Sequence, residues 1–507
     1  MLRSIAWRAL KSTRRAQHRH VRFYSDLETD QNPIQKLKSR DLLQAATSSA
    51  VESHLATEKD GALVPRTIYA GVDPSAASMH VGNLLPLLAL LHCSRYGHTG
   101  LVLVGGGTGA IGDPSGRSTE RSALDLEQLE ANVASIRAQM YQFFHNAAAY
   151  LNRRHGNDIE LNPYTPDHRA EPTGERLFSA GLDIRLVNNT TWLQPVSIIE
   201  FLSNVGRHAR VNDMLARDSV KSRMNLAKDG KESTEGLSFT EFTYQLLQAY
   251  DFSVLHREPY HCSVQIGGSD QMGNIAAGID LIRRQEASKG KSIQEDPAYG
   301  LTLPLLTTAN GTKFGKSAGN AVWLSPKHLS DLDFYQYFLR TSDADVGRFL
   351  RSLTLLPIKE IESVMAEHEQ QRSKKRAQEV LATEMTELVR GEQAVFRARV
   401  ATKVLFGSRL EELRVGDVIT TFQNDPRLQT MPRSILGTEI VNLAADSQLT
   451  TSKGEARRLQ KGGGLYLNNI SLTDANRPLL ATDLLNDRFI VLRAGKQQHR
   501  IIVVEET

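Results

Sequence analysis

Two apolar runs separated by one apolar helical stretch limit what this chain can fold into more than any other feature. TIYAGVDP (residues 67–74) reads as a short strand that must end at its turn, because Pro74 cannot continue a ladder. HVGNLLPLLALLHCSRYGH (80–98) reads as a helix apolar nearly all round, and TGLVLVGGG (99–107) as a buried strand running into glycines. Strand, helix and strand within some forty residues predict a βαβ unit of a parallel sheet. DIRLVNNTTW (183–192) and CSVQIGGSDQ (262–271) repeat the pattern of an apolar strand ending in polar residues. In open α/β sheets ligands bind beyond the carboxyl ends of the strands, where these polar residues fall.

The surrounding sequence divides by composition. Residues 1–25 hold seven of the chain's 61 Lys and Arg and none of its 57 Asp and Glu, so the remainder is net acidic and the overall charge of +4 points to no polyanion. Arg3, Trp7, Leu10 and Arg14 fit an amphipathic, acid-free leader, the pattern of a mitochondrial transit peptide. A basic arm that binds RNA is the alternative. We expect a leader at 1–24, a parallel-sheet domain at 25–325, a charged helical domain at 326–427 and a small C-terminal unit at 428–507. Residues 26–66 read as a helical lead-in with a polar loop, and 151–180 as a loop or insertion. TSKGEARRLQKGGGLYLNN (451–469) reads as a basic helix, a glycine stop and a strand. Residues 451–500 hold nine basic and four acidic residues, so this part is locally positive. Cys93 and Cys262 form no CxxC pair, which argues against a disulfide framework or a cysteine zinc site. No apolar run reaches the length needed to span a bilayer.

Three stretches speak to phosphate. Gly107, Gly109 and Gly112 form GxGxxG after a strand, but DPSGRSTER follows where a dinucleotide fingerprint needs a helix. GTKFGKSAGN (311–320) resembles a P-loop, yet only three residues separate Gly311 from Gly315 where that motif needs four. HVGN opens a helix, whose unpaired N–H groups and positive dipole end suit an anion. His80 and Asn83 stand one turn apart there, in place either to meet the same anion or to cap and pack the helix.

Taken together, YAGVDPSAASMHVGN (69–83) and KFGKS (313–317) resemble the paired signatures of class I aminoacyl-tRNA synthetases. VGGGTGAIGDPSGR (104–117), FTEFTYQLLQAYDF (239–252) and QIGGSDQMGNIAAGIDLIRR (265–284) narrow the resemblance to tyrosyl-tRNA synthetases of the bacterial and mitochondrial kind, in order over about 35–505. The C-terminal unit is similar to the small RNA-binding domain of these enzymes. The resemblance implies a Rossmann-like α/β domain, a helical anticodon-binding domain and a small α+β RNA-binding domain.

It also implies a reaction. Tyrosine is activated by ATP, with Mg2+, to tyrosyl-adenylate and then passed to tRNA(Tyr), with no protein-bound metal or organic cofactor. It implies a homodimer through FLSNVGRHARVNDML (201–215), while the acid-free leader predicts work in the mitochondrial matrix and the lack of a bilayer-length apolar run predicts no membrane partner. By position, Tyr69 and Asp251 face the phenol, and Asp113, Tyr244 and Gln248 hold the α-ammonium. Asn189 supports them, and Gln271 lies near the carboxylate. Asp73, Ser75, His80, Asn83 and Asp270 line the ATP side. Lys313, Lys316 and Ser317 cover pyrophosphate, which Arg117 and Arg121 also approach. Lys453, Arg457, Arg458 and Lys461 meet tRNA phosphates.

The departures are Asn83 in place of a histidine, Lys-Phe-Gly in the second signature, and Met272 where tryptophan is common. Pro86 falls early enough in its helix to be tolerated. Two other readings stay open. One is a tryptophanyl or other relative with the same signatures, against which Asp251 counts because a buried carboxylate suits a phenol. The other is an added RNA-binding role on group I introns.

Overall fold

The computed structural model describes residues 32–115, 125–155, 174–178, 182–218, 220–221, 224, 237–290, 295–311, 316–317, 320–407, 410–474, 476–496 and 498–505. Lys313, Arg117, Arg121 and the leader lie outside them, as do the side chains of Lys316 and Ser317. The chain forms two compact units, one of residues 1–329 and 338–389, the other of 330–337 and 390–507. The boundary between them runs through the 326–427 stretch.

The first unit is built on a seven-stranded sheet. Its strands in chain order are β1 (Ala45–Ala46), β2 (Thr67–Val72), β3 (Thr99–Val104), β4 (Glu175–Phe178), β5 (Asp183–Asn188), β6 (Cys262–Gly268) and β7 (Tyr299–Leu303). They lie in the order β1-β7-β6-β2-β3-β5-β4, parallel from β7 to β5, with an antiparallel strand at each edge. After β5 the chain crosses back to the other side of β2, which makes the β2–β6 boundary the topological switch point.

The expected βαβ unit is β2, helix α1 (Leu84–Arg95) and β3, with Thr67–Val72 in register with Thr99–Val104. Alternation sets the two faces. Gly100 faces Leu90 of α1, while Tyr69, Leu101 and Leu103 face Phe252, Ile275 and Ile279. Those last residues belong to helices α3 (Phe239–His256) and α4 (Met272–Ser288). Pro86 sits in the first turn of α1, where its missing N–H is one the helix could not have paired.

The stretch read as a loop at 151–180 begins and ends in regular structure. Residues 126–155 form a thirty-residue helix, α2 (Leu126–His155), and Glu175–Phe178 is the edge strand β4. Tyr150 of α2 donates to the buried Glu384, and Arg154 donates to Glu360 at 2.8 Å. This ties the end of α2 to helices at Ile358–Gln370 and Arg376–Arg390.

In the second unit a five-stranded sheet is covered on both faces. Ile490, Leu492, Ile502 and Val504 face a layer holding the helices Ile440–Asp446 and Lys453–Lys461. Phe489, Val491, Ile501 and Val503 face Val400, Val404, Val418 and Phe422 of the helices Glu392–Phe406 and Val415–Phe422. The basic helix, glycine stop and strand appear as Lys453–Lys461, Gly463 at φ +69° and Leu465–Leu467.

Candidate active site

The carboxyl ends of β2, β3, β5 and β6 deliver Asp73, Gly105 to Gly107, Asn189, and Asp270 with Gln271 to one region. Helix α3 adds Tyr244, Gln248 and Asp251 from the side. Its spacing of 244, 248 and 251 keeps all three on one face. Gly105 is required by contact, since a Cβ there would collide with the Asp73 carboxylate and the Thr108 hydroxyl.

At the deep end Asp251 is 1% exposed. Its carboxylate accepts from Asn189 Nδ2 at 3.0 Å and from Trp192 Nε1 at 2.7 Å. Burial raises its pKa to about 7, and the two N–H donors oppose that rise. Tyr69 is equally buried, and among the described residues its hydroxyl has no hydrogen-bond partner. Burial, then the nearby Asp251, pushes the Tyr69 phenol well above its ordinary value. Gln265, in register with Tyr69 on the next strand, is also buried, and its side-chain oxygen finds no partner among the described residues. Unpaired buried polar groups are costly, so a cluster of them beside a carboxylate is a place for a polar ligand group.

A chain of hydrogen bonds runs outward from there. Asn189 accepts from Gly107 N–H at 2.8 Å and donates to Thr108 Oγ1 at 3.0 Å. Thr108 donates to Asp73 at 3.0 Å, and the Tyr244 hydroxyl donates to the other Asp73 oxygen at 2.8 Å. A second cluster joins Asp113, Gln271 and Gln248. Gln271 Nε2 donates to Asp113 at 2.7 Å, and Asn274 Nδ2 reaches the side-chain oxygens of Gln248 at 3.1 Å and Gln271 at 3.2 Å. Tyr244 thus bonds Asp73 rather than Asp113. Burial first, then Asp73 and Asp113, raises its phenol well above the ordinary value.

His80 and Asn83 are adjacent, and the Asn83 side-chain oxygen accepts from the His80 backbone N–H at 2.9 Å, which is the capping geometry. A Cβ at Gly82 would come within 3.0 Å of the His80 ring, so glycine leaves that ring its place. The His80 ring lies 6.4 Å, centroid to centroid, from Trp323. Ser75 is exposed beyond Asp73, and Asp270 opens the short turn into α4. The backbone of Lys316–Ser317 pairs with Asn320–Ala321 as a small hairpin. In the second unit Lys453, Arg457, Arg458 and Lys461 are all exposed on one helix that buries Ala456.

Sequence reading passed over Trp192, Thr108, Gln265 and Asn274. Thr108 and Trp192 stand a few residues past strand ends and Asn274 one turn beyond Gln271, which is the signal that could have found these three, whereas Gln265 lies inside β6 and its place opposite Tyr69 shows only in the folded sheet.

The family model for class I tRNA synthetases (W and Y) matches residues 13–407, and the chain belongs to that class. The model of the tyrosine–tRNA ligase SYY-like C-terminal domain matches 417–502. The chain is 44% identical over 439 residues to the tyrosine–tRNA ligase of Roseiflexus castenholzii, covering 86% of this chain and 92% of that one. It is 38% identical over 481 residues to the mitochondrial tyrosine–tRNA ligase of Saccharomyces cerevisiae, covering 94% and 90%. A C-terminally truncated mitochondrial tyrosyl-tRNA synthetase of Aspergillus nidulans superposes with a TM-score of 0.63 at 30% identity, covering 78% of this chain and all of that one. The corresponding Coccidioides posadasii structure gives 0.60 at 32%, covering 78% and 98%. Within the class the chain is a member of the tyrosine–tRNA ligase family, and its activity is the ATP-driven joining of tyrosine to tRNA. Among the described residues no helix is long and apolar enough to cross a membrane.

Proposed function

We propose that this chain charges mitochondrial tRNA(Tyr) in the matrix, and that its buried Asp251 end reads the tyrosine phenol. The observation that carries this reading is the Tyr69 hydroxyl, unpartnered among the described residues, beside a carboxylate held by Asn189 and Trp192. A phenol entering there donates to Asp251 and accepts from Tyr69. Asp113, Tyr244 and Gln248 take the α-ammonium, and Gln271 lies near the substrate carboxylate.

The substrate carboxylate attacks the α-phosphorus of ATP, the bond to pyrophosphate breaks, and tyrosyl-adenylate forms. The terminal adenosine hydroxyl of tRNA then attacks the acyl carbon and AMP leaves. No side-chain nucleophile is required, so the work is positioning and stabilisation of charge on the transferring group. Asp73, Ser75, His80, Asn83 and Asp270 serve the ATP side. Lys313, Lys316 and Ser317 serve pyrophosphate, and ATP enters with Mg2+ on its phosphates. Lys453, Arg457, Arg458 and Lys461 meet tRNA phosphates.

The acid-free basic N-terminus and the mitochondrial relatives support the address. Ile198, Ile199, Leu202, Val211 and Phe239 form exposed apolar surface on neighbouring segments, which supports a homodimer through this face. Leu202 and Val211 lie within the expected 201–215 segment, whereas Val205 and Met214 are buried.

Pyrophosphate exchange with tyrosine, phenylalanine and tryptophan tests the reading. Exchange should depend on tyrosine, and equal exchange with phenylalanine would sink the placement of the phenol. A monomer by light scattering would remove the dimer. A reporter fused to residues 1–30 that stays cytosolic would remove the address.

A further inference from the structure

The segment that leads from Asp73 to the first signature is held by a helix remote from it in sequence. Asn132, Ser135 and Gln139 lie on one face of α2 and bond the backbone of residues 74–79 in turn. Asn132 Nδ2 donates to Pro74 O at 3.0 Å, and Ser135 Oγ donates to Ala77 O at 2.7 Å. Gln139 uses both ends of its amide. Nε2 donates to Ala77 O at 3.1 Å, and Oε1 accepts from Met79 N–H at 3.0 Å and faces Ser78 Oγ at 2.9 Å.

The same serine reaches the other signature. Ser78 is buried, and its oxygen accepts from Ser325 N–H at 3.2 Å. On either side of it, Leu324 N–H donates to Met79 O at 2.9 Å and Val81 N–H to Val322 O at 3.1 Å, with His80 and Trp323 forming an isolated bridge. Residues 322–325 follow directly on the hairpin that contains Lys316 and Ser317. The approach to His80 and the base of the second signature are therefore stitched together, and Gln139 holds the stitch to α2.

We propose that Gln139 is a positioning residue for adenylate formation, acting with Ser78 to give both signatures one reference frame. This rests on the reading that His80 and the hairpin serve ATP. Loop backbone has no ladder to satisfy it, so losing the amide leaves Met79 N–H to find another partner and Ala77 O with Ser135 alone, and lets the loop shift. Tyr69 and Asp251 are bonded to none of these groups, so tyrosine binding should not sense the shift.

The test compares Gln139→Met, Gln139→Glu, Ser78→Ala and His80→Ala by single-turnover adenylate formation, tyrosine binding and thermal midpoint. Gln139→Met keeps the volume and loses the contacts with Ala77, Ser78 and Met79. It should slow adenylation by about 10²-fold, the order set by a displacement near 1 Å, with tyrosine affinity unchanged. Gln139→Glu keeps the acceptor for Met79 and Ser78 and should recover much of that loss. If Gln139→Met does not fold, Ser78→Ala should show the same split between rate and tyrosine affinity, because it frees Ser325 N–H and leaves the Gln139–Met79 bond. A folded Gln139→Met with the wild-type rate, or with rate and tyrosine affinity falling together, overturns the proposal. A His80→Ala variant that forms adenylate normally overturns instead the assignment of His80 to ATP.

Discussion

Tyrosine should bind this protein more weakly as pH falls through neutrality, and the reason lies in one carboxyl group. Asp251 is raised to about 7 by burial, against the pull of Asn189 and Trp192. A phenol is a donor, so it is held best by the ionised form. At pH 8 about nine-tenths of Asp251 is ionised and at pH 6 about one-tenth, so the dissociation constant for tyrosine should rise about ten-fold between them. The α-ammonium of free tyrosine does not titrate in that range, and phenylalanine, with no phenol, should show no such slope. Asp251→Asn should bind weakly with a flat profile. Trp192→Phe removes one donor to the carboxylate and should move the midpoint to higher pH. Equilibrium dialysis or fluorescence titration at half-unit steps from pH 5.5 to 8.5 makes the measurement. A flat wild-type profile, or a slope that persists in Asp251→Asn, would refute the placement of the phenol against this group.

Four further outcomes are expected. Tyr69→Phe removes one neutral hydrogen bond and should cost roughly 0.5–1.5 kcal/mol in kcat/KM for tyrosine with discrimination against phenylalanine kept. Asp251→Ala should cost several times more and erode that discrimination, and the reverse order would mean the roles are exchanged. Lys316→Ala should lower the single-turnover rate of adenylation by about 10²-fold while tyrosine affinity holds, the loss expected when a charge that acts on the transferring group is removed. A P-loop lysine would instead lose ATP binding outright. Deleting 428–507 is the wrong test of the tRNA surface, because Phe489, Val491, Ile501 and Val503 share a core with the helices before them. Replacing Lys453, Arg457 and Lys461 by alanine leaves that core intact. It should weaken tRNA binding and reduce its salt slope by up to about three, with adenylation unaffected. An unchanged slope would clear this helix of phosphate contacts.

Much of the catalytic fold was legible because parallel strands announce themselves by apolar runs and their ends by polar residues. Tyr69, Asp73, Asn189 and Gln271 lie on or just past such strands, and the structure brings them together. What stayed hidden depends on contacts with no local pattern. Gln139 is a polar residue on a helix, indistinguishable by period from a solvated one, and only the folded chain sets it against Met79. Trp192 sits in a short turn whose sequence favours no particular partner. The helix through residue 155 ran into a stretch whose Pro, Asn and His content suggested a loop throughout. The charged sequence from 326 to 427 looked uniform, yet residues 338–389 cluster with the first sheet, and residues 330–337 and those from 390 with the second.

The long helix α2 has a consequence for how this molecule tolerates change. At 1.5 Å per residue its thirty residues span about 45 Å. Its early turns grip the approach to His80, and its last turns are clamped through Tyr150 and Arg154 to Glu384 and Glu360. A rod pinned near both ends passes little strain from whatever is attached beyond its last pin. Past Arg154 the next described strand is the edge strand β4. Length can therefore be gained or lost there as a ship is lengthened at the stern, with the helm left where it was.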